Sequence, residues 1–146
     1  MKQKEVEKIR EWLLHQEAAV GMVLAIGALS QEVDDIEDGD GGSLGSVMAR
    51  AIFELGANPF YCRFRTTFEP LLLSSLLMWE ASNAWAKSKH RETRMYAFVW
   101  REITEQVIPV AAYLLGGHEH AVAVARDMHD HYHVNDATFE QWESEQ

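Results

Sequence analysis

The sequence predicts an all-α fold, an irregular bundle of five or six helices in a single domain spanning residues 1–146. Apolar residues recur at three- and four-residue spacings in every long segment, which is the pattern of helices with one buried stripe. Only residues 60–69 alternate with the period of a strand, and a lone strand has nothing to pair with. The 146 residues, 47% of them hydrophobic and 25% charged, suffice for one core.

The first helix is expected from about Lys4 to Glu37, with Val6, Ile9, Leu13, Val20, Leu24 and Gly27 on its buried line. Extending that line reaches Gln31, Asp34 and Asp38. Four glycines within Gly39–Gly45 stop it. Ser43 or Ser46 then caps a second helix whose apolar face is Leu44, Val47, Met48, Ala51, Ile52 and Leu55, ended by Gly56, Asn58 and Pro59. Residues 60–69 read as an ordered loop or short helical turn whose phenylalanines plug the core. Pro70 suits the first position of a third helix running to about Lys89. Its opening LLLSSLLMW is apolar nearly all round and marks it as central, with Leu73, Leu76, Leu77 and Ala84 on the line that also carries Glu80. A fourth helix spans about Thr93–Leu115, with Met95, Phe98, Val99, Ile103, Val107, Val110 and Leu114 inward and a kink at Pro109. Gly116 and Gly117 end it, a fifth runs from about Glu119 to His133, and Thr138 and Gln141 stand at capping-box spacing for a short last helix.

The formal charge of −10 argues against non-specific nucleic-acid binding, which needs Lys and Arg to neutralise phosphates. Six acids and no base lie between Glu32 and Asp40, whereas residues 87–101 hold five bases and one acid. The single cysteine, Cys62, cannot form an intrachain disulfide and suits a reducing compartment. Ala18–Leu29 is apolar for too few residues to span a bilayer, which takes roughly 20. A cytoplasmic protein without a membrane span is the expectation.

Three constellations bear on chemistry. Asp34, Asp35 and Asp38 put carboxylates on one helical turn, where close like charges invite a divalent cation such as Mg²⁺, with Glu80 or Glu17 assisting. Arg63, Arg65, Arg91 and Arg94 are the candidate phosphate ligands that would complete such a site. His118, His120, His129, His131 and His133 crowd the C-terminal part, and His129 and His133, four apart, could chelate a transition metal across one turn. The aromatic residues are expected mainly in the core, and Cys62 is expected buried or inert.

Over Val33–Asp40 the DDxxD spelling of Asp34, Asp35 and Asp38 resembles the aspartate-rich motif of the trans-isoprenyl diphosphate synthases. The resemblance implies Mg²⁺ held by those aspartates and a diphosphate-bearing substrate in an all-helical enzyme. A second aspartate-rich motif is absent, and GGSLGS stands where that family carries arginines. The leading expectation is therefore a non-catalytic, acidic helical binding or accessory protein, most simply a homodimer or a partner of another protein. The alternative is a Mg²⁺-dependent enzyme or binder for a phosphorylated small molecule.

Overall fold

The computed structural model describes residues 3–134 and 138–146. The fold is all-α: the described residues form eight α-helices and two π-helical stretches, with no strand. The chain divides into two compact units, Met1–Glu69 and Pro70–Gln146.

In the first unit, α1 (Gln3–Trp12) and α2 (Glu17–Asp38) replace the single long helix read from the sequence. Leu14 and His15 take left-handed backbone angles, φ 52° and 55°, that no helix can continue. The His15 amide closes the end of α1 on the Arg10 carbonyl at 2.8 Å. Arg10 then spans the break, bonding Glu7 at 2.7 Å and Glu17 at 3.2 Å. Ala19, Val20, Met22, Val23, Ala25 and Ile26 make the buried side of α2.

Gly39 ends α2 at φ 76°, and the Asp40 amide returns to the Asp35 carbonyl at 2.8 Å. Ser43 caps α3 (Leu44–Ala49) by accepting the Ser46 amide, and α3 runs on into a π stretch, π1 (Arg50–Leu55). Asn58 organises the entry to the next helix. Its Oδ1 accepts the Tyr61 amide at 3.0 Å to start α4 (Pro59–Arg63), while its Nδ2 donates to the Ala18 carbonyl of α2 at 2.8 Å. A Cβ at Gly21 would stand 3.4 Å from that nitrogen, so the small residue leaves room for the tie. Phe60 and Phe68 are buried 5.9 Å apart and Phe64 lies 4.9 Å from Phe60, which realises the expected phenylalanine plug.

The division between the units falls within α5 (Arg65–Trp85). Pro70 is its sixth residue rather than its first, because the Phe64 carbonyl already accepts the Thr67 and Phe68 amides and starts the helix earlier.

In the second unit, α6 (Arg91–Trp100) and α7 (Ile103–His129) replace one helix from Thr93 to Leu115, with Glu102 in an extended conformation between them. Met95 and Val99, expected inward, are 44% and 56% exposed, and Ala97 is the residue of α6 that is buried. Ile103, Val107, Ile108, Ala111 and Ala112 supply the buried side of α7 before the Gly116–Gly117 break. Gly117, at φ 84° and ψ −174°, ends the first part of α7 where the sequence suggests a stop. A second π stretch, π2 (Asp130–Val134), comes next, and α8 (Phe139–Ser144) opens with the capping box of Thr138 and Gln141.

Candidate functional site

The acidic turn lies at the C-terminal end of α2. Asp34 and Asp35 are half-buried and Asp38 is exposed, so the buried stripe fades before it reaches the last aspartate. Asp35 accepts a bond from Gln31 Nε2 at 2.7 Å. Glu32, one turn earlier, is taken by Arg50 at 2.9 Å and by the Ser46 hydroxyl at 3.3 Å. Glu80 is an exposed residue of α5 in the second unit, and Glu17 is exposed and paired with Arg10. Among the described residues, no three His, Cys, Asp or Glu side chains converge as a metal site.

The four arginines are used locally. Arg65 bonds Glu69 one turn on, and Arg63 lies over the Phe64 ring at 5.1 Å. Arg94 bonds Glu143 Oε1 at 2.6 Å and the Ser88 carbonyl at 2.8 Å. Arg91 lies 3.6 Å from Glu140 and 3.7 Å from Glu143, with its guanidinium over Phe139 at 5.0 Å. The basic segment of the second unit therefore meets acids of α8, which fastens α8 to α6.

The histidine-rich end contains a pairing that spacing did not reveal. His133 Nε2 lies 2.7 Å from Glu105 Oε2, across 28 residues of chain, and both side chains are largely buried. The hydrogen bond to Glu105 pushes the His133 pKa above its ordinary value; burial opposes this, and the charges of Glu105 and Glu102 add to it. Phe98 stands edge-on to the imidazole at 5.0 Å and packs on Trp142 at 5.6 Å. A carboxylate-oriented imidazole can serve as a general base. His133 Nδ1 and Glu105 Oε1 are themselves buried and make no hydrogen bond among the described residues. The geometry of the pair suits a latch between α7 and π2. His129 lies 5.5 Å from His133, ring to ring, and with Val122, Ala125, Arg126 and Asp130 lines an open hollow of about 500 Å³. Cys62 is exposed, contrary to a buried thiol, and its Sγ donates to the Gly56 carbonyl at 3.1 Å.

The most unusual surfaces are apolar. On α5 the buried line is Ser75, Trp79 and Ser82, while Leu73, Leu76 and Leu77 are 59%, 44% and 57% exposed. This reverses the orientation read from the sequence, and hydrogen bonds explain how it is sustained. Ser75 donates to Gln106 Oε1 of α7 at 2.9 Å, and Ser82 donates to the Trp79 carbonyl at 2.7 Å. In the first unit, Leu44, Met48, Ile52 and Phe53 are 57–74% exposed along α3 and π1. Val47 and Ala51 of the expected face are half-buried and only Leu55 is buried.

Residues 103–133 are long and apolar enough to cross a membrane by length and composition. The backbone break at Gly117 divides that stretch, and hydrocarbon offers no partner to the polar groups a break releases. Comparison with protein-family models, curated proteins and solved structures found no match for the chain.

Proposed function

We propose that this is a non-catalytic helical binding protein, acting through its surface and assembling with itself, in a reducing compartment such as the cytosol that suits its single cysteine. The observation that carries the reading is the orientation of α5, which turns leucines outward and serines inward. Leu73, Leu77, Glu80 and Ala84 are all exposed and succeed one another at steps of four, three and four, the spacing of a helix–helix seam. Apolar surface of this kind loses about 25 cal/mol for every Å² left in water, so a matching helix face has a ready driving force. Contiguous exposed apolar surface, as distinct from single scattered residues, marks interaction sites.

Sedimentation velocity over roughly 1–100 μM, a range spanning ordinary micromolar association, tests this on the full chain. A concentration-dependent oligomer is expected, with Leu73→Ser/Leu77→Ser shifting the chain toward monomer while far-UV circular dichroism stays unchanged. A strictly monomeric wild type, or an oligomer indifferent to the substitutions, refutes assembly through α5.

A further inference from the structure

The two nitrogens of the His133 imidazole stand in different situations. Nε2 is engaged by Glu105 Oε2 at 2.7 Å, whereas Nδ1 is buried and meets no hydrogen-bond partner among the described residues. A buried polar atom left unbonded costs free energy, so a bound ion at that atom is stabilising. In a neutral imidazole bonded to a carboxylate the proton sits on the bonded nitrogen, which leaves a bare lone pair on Nδ1. Histidines that ligate metals are held in this way, one ring N–H given to a carboxylate and the other nitrogen turned to the ion.

A second imidazole stands beside the first. His129 closes α7 and His133 follows four residues on in π2, with their ring centroids 5.5 Å apart. Bonds of about 2.0–2.1 Å from two imidazoles to one tetrahedral Zn²⁺ put the ring centroids roughly 5 Å apart, so the spacing already suits a chelate. Val122, Arg126, His129 and His133 succeed one another at steps of four, three and four, which makes one helical face. The open hollow of about 500 Å³ lies along that face and admits solvent to His129. His129 is exposed, so its ring turns on its own side-chain bonds without unpacking the core. Arg126 and Asp130, also in the lining, set opposite charges beside the pair.

We propose that His129 and His133 Nδ1 chelate a divalent late first-row ion of the Zn²⁺ kind, with Glu105 as the positioning residue that holds the His133 ring. Imidazole nitrogen suits Zn²⁺, Ni²⁺ or Cu²⁺, whereas Mg²⁺ is a hard ion that takes oxygen. No group of three His, Cys, Asp or Glu converges among the described residues, so water completes the coordination. The site goes beyond the reading of a surface-binding protein and does not depend on α5.

Isothermal titration calorimetry of the full, untagged chain with ZnCl₂, at pH about 8 where free imidazole is neutral, tests the site. One Zn²⁺ per chain is expected, and no response to MgCl₂. His129→Ala, at an exposed position, should abolish binding. Glu105→Gln should weaken it about tenfold or more, as loss of an outer carboxylate does, with circular dichroism checking that each variant folds. His118→Ala/His120→Ala and Leu73→Ser/Leu77→Ser should leave binding unchanged. Absence of Zn²⁺ binding, or binding that survives His129→Ala, overturns the proposal. So does binding indifferent to Glu105→Gln, the behaviour of an adventitious surface pair. Nitrogen NMR of the wild type decides the matter even where Glu105→Gln fails to fold: Zn²⁺ must shift His133 Nδ1 and leave Nε2 protonated, and the reverse overturns the chelate. A monomeric chain that still binds Zn²⁺ in this way refutes assembly through α5 and leaves the metal site standing.

Discussion

The His133–Glu105 pair makes the sharpest quantitative prediction. The perturbation is His133→Gln, which keeps a polar side chain of similar reach and removes the titrating charge. His133 and Glu105 side chains are 13% and 14% exposed, so solvent screens their attraction only weakly. A hydrogen bond to a charged partner contributes about 1.5–3 kcal/mol, and the T-shaped contact with Phe98 about 0.5–1.5 kcal/mol. The substitution should therefore cost about 3 kcal/mol at pH about 6, with the charge-dependent share disappearing at higher pH.

The direction of that pH effect comes from linkage. The folded-state pKa of His133 lies above its ordinary value, so its stabilisation is fully present below the unfolded pKa near 6.5 and is lost as pH rises through the folded pKa. Urea unfolding of wild type and His133→Gln, monitored by circular dichroism at about pH 6 and about pH 9, reads the gap between them. The gap should shrink toward high pH, where the neutral imidazole keeps its hydrogen bond to Glu105 and its contact with Phe98 but loses the attraction between opposite charges. A gap constant with pH, or one that widens as pH rises, refutes the latch.

Local geometry sets four more outcomes. Asn58→Ala removes both the cap of α4 and the tie to Ala18 and should cost about 1–2 kcal/mol in urea unfolding. Asn58→Asp, which keeps the acceptor and loses the donor, should fall between it and wild type. Replacing Gly117 by Ala forces a side chain onto φ 84° and ψ −174° and should cost about 1–3 kcal/mol, measured as a lower melting temperature. His15→Gly relieves a left-handed non-glycine residue at φ 55° and should stabilise the chain by about 0.5–1 kcal/mol; a destabilised variant would show that the His15 side chain makes a contribution larger than the strain. Millimolar Mg²⁺ should move the melting temperature by less than about 1 °C in both wild type and Asp34→Asn/Asp38→Asn, since a site-bound ion stabilises by mass action. A wild-type shift abolished by the substitutions would restore the Mg²⁺ reading of the acidic turn.

Local punctuation was legible in the sequence because its chemistry is local. Gly39 as a stop, Ser43 and Thr138 as caps, and the Gly116–Gly117 break each arise from one residue type meeting one backbone requirement. The break at Leu14 and His15 carries no such mark, since neither residue favours left-handed angles strongly enough to announce it. Nor does Glu102, where α6 gives way to α7. The facing of α5 was illegible for a different reason. A helix apolar nearly all round has no strong directional pattern, and the partner that Ser75 meets on its buried side, Gln106, lies on another helix where no local pattern announces it. The same holds for His133 and Glu105: their spacing of 28 residues has no helical meaning, and only tertiary packing joins them. The four-residue intervals of the histidine cluster suggest a chelate across one turn, yet the ion pair of His133 is with Glu105, far away in sequence. Likewise, the four arginines seen as phosphate ligands are engaged by nearby aromatic rings, acids or backbone carbonyls.

The outward leucines of α5 also bear on how such a chain fares when newly made. Before any companion arrives, Leu73, Leu76 and Leu77 offer chaperones and proteases the kind of sticky segment they inspect in immature proteins. Survival in a cell would then depend on how quickly that row is covered, and synthesis in excess of its companions would be trimmed by degradation. If α5 joins molecules as proposed, the same helix would also set how many copies persist.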